Sequence, residues 1–166
     1  MQLLIMSDTH GDKSIISTVK AYYPNADVYI HCGDSELEYI DKALTDFYYV
    51  RGNCDQDTQF AEEQIVKVED RIIYITHGHL YNVKSTLMPL SYRAQEVNAS
   101  IVCFGHSHLL GAEKIGDTLF LNPGSLTAPR GRKEKSFIVV QLDGDDVIVN
   151  CLDDNNNLLD KATFTF

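Results

Sequence analysis

No Cys-x-x-Cys pair occurs among the four cysteines, Cys32, Cys54, Cys103 and Cys151. Their spacing suggests neither a disulfide framework nor a zinc finger, and free thiols fit a reducing cytosol. Positive charge is the minority: 14 Lys and Arg stand against 24 Asp and Glu, a formal net charge of -10. A surface that negative repels polyphosphate backbones and argues against long DNA or RNA as partners. A small phosphorylated substrate stays open, because a metal site reverses the local field. No apolar stretch approaches the ~20 residues of a membrane span. The opening MQLLIMSDTH lacks the basic region and long apolar run of a secretion signal. A cytoplasmic setting with no membrane partner is therefore expected. Also missing are a Gly-x-Ser-x-Gly elbow, a P-loop and a His-Glu-x-x-His helix.

What is present suits one folded domain over residues 1–166, at 44% hydrophobic and 23% charged. Leu3 to Met6, Val28 to Ile30 and Phe47 to Val50 read as short buried strands. Asp12 is placed to cap a helix carrying Ile15, Ile16 and Val19, which Pro24-Asn25 ends. Ser35-Glu36-Leu37-Glu38 reads as a capping box opening a helix with Leu37, Ile40 and Leu44 inward. Ile65 to Val68 and Ile72 to Ile75 look like paired strands. A helix is expected from near Thr86, with Pro89 in its first turn and Leu87, Leu90, Ala94 and Val97 on one face. Ile101 to Phe104, Leu119 to Leu121, Phe137 to Leu142, Val147 to Leu152 and Ala162 to Phe166 read as further strands. Turns are expected at Asp143-Gly144 and from Asp153 to Asn157. The pattern is α/β: alternating units first, then a β-rich half.

Five apolar runs share one feature. Each is followed within a few residues by a side chain able to ligate a metal: Asp8 and His10, then Asp34, Asn53, His77, and finally His106 and His108. Loops at the carboxyl ends of strands in an open α/β sheet converge on one crevice. Gly11, Gly33, Gly52, Gly78 and Gly105 accompany them and permit tight turns. Singly, each residue has a plainer reading, a turn or a cap for an Asp, a loop position for a His. Five such motifs in order argue for a shared site.

The pieces Asp8-Thr9-His10, Gly33-Asp34, Gly52-Asn53, His77-Gly78 and Gly105-His106-Ser107-His108 resemble the calcineurin-like metallophosphoesterase superfamily. Gly52-Asn53-Cys54-Asp55 and Asn122-Pro123-Gly124-Ser125 look most like its small YfcE-type phosphodiesterases. The resemblance implies a four-layer α/β/β/α sandwich of two facing mixed sheets. It implies two divalent metal ions, Asp8, His10, Asp34 and His108 holding one, Asp34, Asn53, His77 and His106 the other, with Asp34 bridging. Imidazole, carboxylate and amide donors suit manganese, the first choice, or Fe, Zn, Ni or Co. Two such ions with a bridging hydroxide, opposed by Asp8 and Asp34, leave about one positive charge for a phosphoryl group. The implied activity is hydrolysis of small phosphodiesters. A rival on the same fold is a protein-binding scaffold like the small retromer subunit, in whose lineage several ligand positions are substituted; here all are filled.

Around this set, Asn53 and His77 are expected to contact the reacting phosphate as well as metal. His79 reads equally as a substrate contact, a proton donor or a support for a ligand. Many superfamily members carry a histidine after the Gly-Asn pair to assist the leaving group; here that place is Cys54, so weak leaving-group protonation is expected. Asp55 then reads as a helix cap. Arg51 reads as a substrate-phosphate contact or a structural residue. His31 reads as a core residue. The basic run Arg130, Arg132, Lys133 and Lys135 is either a substrate-side loop or a solvated surface. Homo-oligomerisation stays open.

Overall fold

The computed structural model describes residues 1–166. Eleven strands form: β1 (Gln2–Met6), β2 (Val28–His31), β3 (Phe47–Tyr49), β4 (Glu63–Val68), β5 (Arg71–Thr76), β6 (Ile101–Cys103), β7 (Leu110–Ile115), β8 (Thr118–Pro123), β9 (Ser136–Asp143), β10 (Asp146–Asp153) and β11 (Leu158–Thr165). Two helices join them, α1 (Lys13–Tyr22) and α2 (Met88–Glu96), with single 3-10 turns at Lys42–Leu44 and His79–Tyr81. The strands make a six-stranded sheet in the order β11-β10-β9-β1-β2-β3 and a five-stranded sheet in the order β4-β5-β6-β8-β7. Both are mixed. β1, β2 and β3 run parallel, as do β5, β6 and β8, while the remaining strands pair antiparallel.

Period-two alternation explains the layering, because successive side chains in a strand face opposite sides. In β1, Leu3 and Ile5 point into a shared core with Ile73, Ile75, Ile101, Cys103, Leu119 and Leu121 of the other sheet. Leu4 and Met6 point the other way, against Ile16 and Val19 of α1. In the second sheet, Tyr74, Val102 and Phe120 face outward against Leu90 and Ala94 of α2. Strands buried on both faces read as unbroken apolar runs, which is why these short segments were visible in the sequence. The result is the α/β/β/α sandwich, and its two sets of parallel strands bring their carboxyl ends to one edge.

α1 begins as expected: Asp12 accepts from Ile15 N at 3.1 Å and caps the helix. α2 carries Pro89 in its first turn. The helix expected from Ser35 does not form. Glu36 sits at φ 54°, outside helical space. Asp55 Oδ1 takes the Glu36 N–H at 2.7 Å, and Asp57 Oδ2 takes the Tyr39 N–H at 2.9 Å. These long-range acceptors pin the segment to a neighbouring loop, and Ile40 is left 78% exposed instead of inward. β7 was also missed, because Gly111, Glu113 and Lys114 mask its alternation. β11 begins at Leu158, four residues before the expected start.

These assignments separate two isoleucines. Replacing Ile75, fully buried between the sheets, with Ala should cost about 2–5 kcal/mol. Replacing exposed Ile40 with Ala should stay within about 0.5 kcal/mol. Urea unfolding of the two variants beside the parent checks both.

Candidate metal centre

The candidate ligands lie just past the carboxyl ends of five parallel strands: β1 (Asp8, His10), β2 (Asp34), β3 (Asn53), β5 (His77) and β6 (His106, His108). The backbone there is unusual. Asp8, His10, Asp34, His106 and His108 all have φ between 42° and 67°. Asp and His tolerate that left-handed region better than most residues, yet each instance costs energy. Crowding adds a second constraint. A Cβ on Gly52 would collide with the Asp34 carboxylate, and one on Gly105 would collide with Ser7 and Asp8. Only glycine lets these loops approach so closely.

Asp8 is fully buried and forms the hub. Its Oδ1 lies 3.0 Å from His108 Nε2, 3.8 Å from His10 Nε2 and 3.8 Å from His77 Nε2, and has no hydrogen-bond partner. Its Oδ2 accepts from Ser7 Oγ at 2.6 Å and from His106 N at 3.2 Å. Asp34 Oδ2 stands 3.2 Å from His77 Nε2, and Asn53 Oδ1 stands 3.1 Å from the same nitrogen. His106 joins through its ring, 5.2 Å from that of His77. Besides a more exposed group of His10, Glu36 and Cys54, two clusters able to hold a metal result, Asp8-His10-His108 and Asp8-Asp34-His77. Their common carboxylate is Asp8, whereas the family resemblance puts Asp34 between the ions.

Each outer ring nitrogen seen to be bonded fixes its tautomer. His77 Nδ1 donates to Cys32 O and His108 Nδ1 to Ala128 O, both at 2.7 Å, and His10 Nδ1 donates to Glu36 Oε1 at 2.7 Å. Carbonyls and carboxylates only accept, so the Nε2 atoms carry lone pairs into the site. His10 Nε2 and His108 Nε2 face each other at 3.4 Å. Donors ~2.1 Å from one cation at tetrahedral angles have about that separation. Lone pairs, carboxylate oxygens and an amide oxygen thus converge with no donor among them, and a cation satisfies all at once. The residues present fit divalent metal ions.

Protonation follows the same logic. Burial disfavours charge on Asp8 and Asp34, but His108 beside Asp8 and His77 beside Asp34 outweigh it, and both carboxyls are held below the usual range. Burial likewise opposes a proton on His77, yet Asp34 and Asp8 raise its affinity for one. The hydrogen bond that a proton on Nε2 would make to Asp8 does the same for His108. His106, half-buried beside His77, is pushed down to about 4 by desolvation and by that neighbour, and is neutral at pH 7. Burial and the Asp34 carboxylate push the Cys54 thiol up to about 11.

Of the other predicted residues, His79 opens the 3-10 turn and is no member of either cluster. Its ring lies 5.5 Å from His77 and 6.1 Å from His106, with Nδ1 buried and unpartnered. Cys54 donates its backbone N–H to Asp34 Oδ1 at 2.8 Å. Arg51 is tied to its own loop, Nε donating to Asp55 O at 3.2 Å and N to Ala61 O at 2.7 Å. His31 is buried, with Thr9 Oγ1 3.0 Å from Nε2 and the Gly33 N–H on Nδ1.

Sequence reasoning missed the supports. Asp55 caps no helix; its Oδ2 accepts from Asp34 N at 2.8 Å and Gly52 N at 2.7 Å, and its Oδ1 from Glu36 N. One buried carboxylate therefore holds three loop positions. Glu36 falls within the helix that the sequence predicts from Ser35. Asn122 Nδ2 donates to Gly105 O and Ser107 Oγ, and Ser125 Oγ donates to Asp8 O. A carboxylate two residues from a ligand, as in Asn53-Cys54-Asp55, was the one local signal for such a clamp.

Fold and donor set together define a protein of the two-sheet sandwich class with a candidate site for divalent ions at the carboxyl edge of the parallel strands. The chain belongs to the calcineurin-like phosphoesterase superfamily, whose domain model matches residues 1–145. It is 41% identical over 158 residues to the probable metallophosphoesterase YsnB of Bacillus subtilis strain 168, covering 95% of this chain and 94% of that one. Phosphodiesterase YfcE of Escherichia coli K12 is 33% identical over 121 residues, 68% of this chain and 61% of that protein. A crystal structure of a predicted phosphoesterase from Streptococcus pneumoniae TIGR4 superposes with a TM-score of 0.95 at 32% identity, covering 99% and 97% of the two chains. Vacuolar protein sorting 29 from Cryptosporidium parvum shares the fold, with a TM-score of 0.82 at 20% identity over 99% and 98%. Membership makes the chain a metallophosphoesterase, a family of hydrolases that bind divalent metals.

Glu36 contacts His10 alone among the ligands, so its loss should weaken one metal position. For Glu36→Ala, affinity for the weaker-bound ion should fall about 10–100-fold. Glu36→Gln, which still accepts from Nδ1, should fall less. Calorimetric titration with Mn²⁺ reads both.

Proposed function

We propose that this chain is a phosphodiesterase acting on small phosphodiesters with two divalent ions, manganese being the first choice. The observation that carries this reading is the buried, unpartnered Asp8 Oδ1, faced by three imidazole nitrogens. Asp8, His10 and His108 would hold one ion, Asp34, Asn53, His77 and His106 the other, with a carboxylate shared between them. When bound, the two ions supply a nucleophile at neutral pH and offset the charge growing on the phosphoryl oxygens.

The chain's own groups account for the rest. Asn53 is exposed at the mouth; with Oδ1 turned to the site and one N–H of Nδ2 on Cys54 Sγ at 3.5 Å, the second N–H of Nδ2 is left to donate to a phosphoryl oxygen. Being neutral, Asn53 preserves the positive excess that a carboxylate there would cancel. Hydrolysis adds water across the P–O bond, and the departing oxygen needs a proton. The Cys54 thiol, at about 11, is a weak acid for that task. His79, whose ring stands 5.5 Å from His77 and 6.1 Å from His106, is a second candidate proton donor beside the ligands. Arg51, tied to its loop, is assigned to positioning that loop. A scaffold reading has no use for an orphan carboxylate held in strained backbone.

Purified protein should contain bound divalent metal and hydrolyse bis-p-nitrophenyl phosphate faster with added Mn²⁺. Asp34→Asn should lower that rate by at least about 100-fold. Protein with neither bound metal nor metal-stimulated turnover would overturn the assignment in favour of a scaffold. Rates across a series of aryl and alkyl phosphodiesters should also fall steeply as leaving-group pKa rises. A flat dependence would mean that an efficient proton donor is present.

A further inference from the structure

Four of the chain's 14 Lys and Arg fall within six residues, Arg130, Arg132, Lys133 and Lys135, in a protein of net charge -10. None of the four forms an ion pair, although Lys13, Lys20 and Arg93 elsewhere do. Gly131 and Glu134 are the two other residues of the run, and Glu134 is its single carboxylate. Solubility is no reason for such a run, since the surplus of carboxylates already supplies it.

Position makes the run informative. The segment leading into it is fastened to the metal centre at four points. Ser125 Oγ donates to Asp8 O at 2.8 Å and Thr127 Oγ1 to the same oxygen at 3.0 Å. His108 Nδ1 donates to Ala128 O, and Arg130 N donates to His108 O at 3.0 Å. The first three orient ligands. The fourth locks the residue that begins the cationic run onto the backbone of a ligand. The cationic run therefore begins at the Asp8-His10-His108 side of the centre, where the Arg130 backbone hangs from His108.

We propose that residues 130–135 form a second anion subsite, which selects phosphodiesters bearing a further phosphate on the group that is retained. This rests on the phosphodiesterase reading above and adds its substrate class. Arg130 is the main contact, since its planar guanidinium grips phosphate oxygens in pairs, and Lys133 adds charge. The rest of the chain carries a net negative charge, so the subsite favours a compact anion at this edge.

The test uses p-nitrophenyl phosphodiesters of one nucleoside, with and without a second phosphate on its sugar. Wild-type protein loaded with Mn²⁺ should show kcat/KM higher by about five- to tenfold for the doubly phosphorylated ester at low salt. That ratio should shrink at ~0.5 M salt. It should fall toward one in Arg130→Gln/Lys133→Gln and stay unchanged in Lys67→Gln, on the distant exposed face of β4. Calorimetry with the nucleoside bisphosphate and monophosphate should show the same ratio in affinity. Cleavage of the plain diester with a ratio near one, or a ratio unmoved in the double variant, overturns the subsite. If neither ester is hydrolysed, the phosphodiesterase reading fails, and the calorimetric ratio decides the subsite by itself.

Discussion

Much of this structure answers to one buried oxygen. Asp8 Oδ1 sits at the seam of the two sheets with three imidazole nitrogens around it and no proton donor to satisfy it. An orphan carboxylate oxygen in a protein interior is expensive. Without a cation, the surrounding histidines must share protons with Asp8 and Asp34, which is why His77 and His108 hold protons more tightly than usual. A divalent ion does the same work with more charge. A bound cation would in this sense complete the fold.

Holding acceptors together against their mutual repulsion requires stiff loops. Five ligands occupy left-handed backbone, at a cost on the order of 1 kcal/mol each. The supports that offset it are buried hydrogen bonds from outside each loop. Asp55 ties the Asp34, Glu36 and Gly52 N–H groups together, and Ser7, Ser125 and Thr127 tie both ends of the Asp8 segment. Beneath them the inter-sheet core fixes the strands from which the loops depart. The basic run from Arg130 extends the same scheme outward, since its backbone hangs from His108.

Local pattern made much of this legible. Strands buried on both faces leave short unbroken apolar runs, and the residues that follow each run carried the metal donors. The capped start of α1 was visible in Asp12 for the same local reason. Where the reading failed, a distant residue had overruled the local signal. Ser35 to Glu38 carries the letters of a helix start, but Asp55, some twenty positions on in sequence, claims the Glu36 N–H and turns the chain into a strained loop. β7 was lost because one of its faces is wet and its alternation is diluted by glycine and charge.

The sequence by itself determined the layered α/β character, the family and the set of side chains able to hold metal. Each of these depends on residue type and short spacing, which the chain carries along its length. Only the tertiary structure decided that Asp8 is the hub, that Glu36 orients His10, and that Asp55 clamps loops instead of capping a helix. Those roles depend on which atoms meet across the seam between two sheets. Such meetings are fixed by packing, and no local stretch of sequence encodes them.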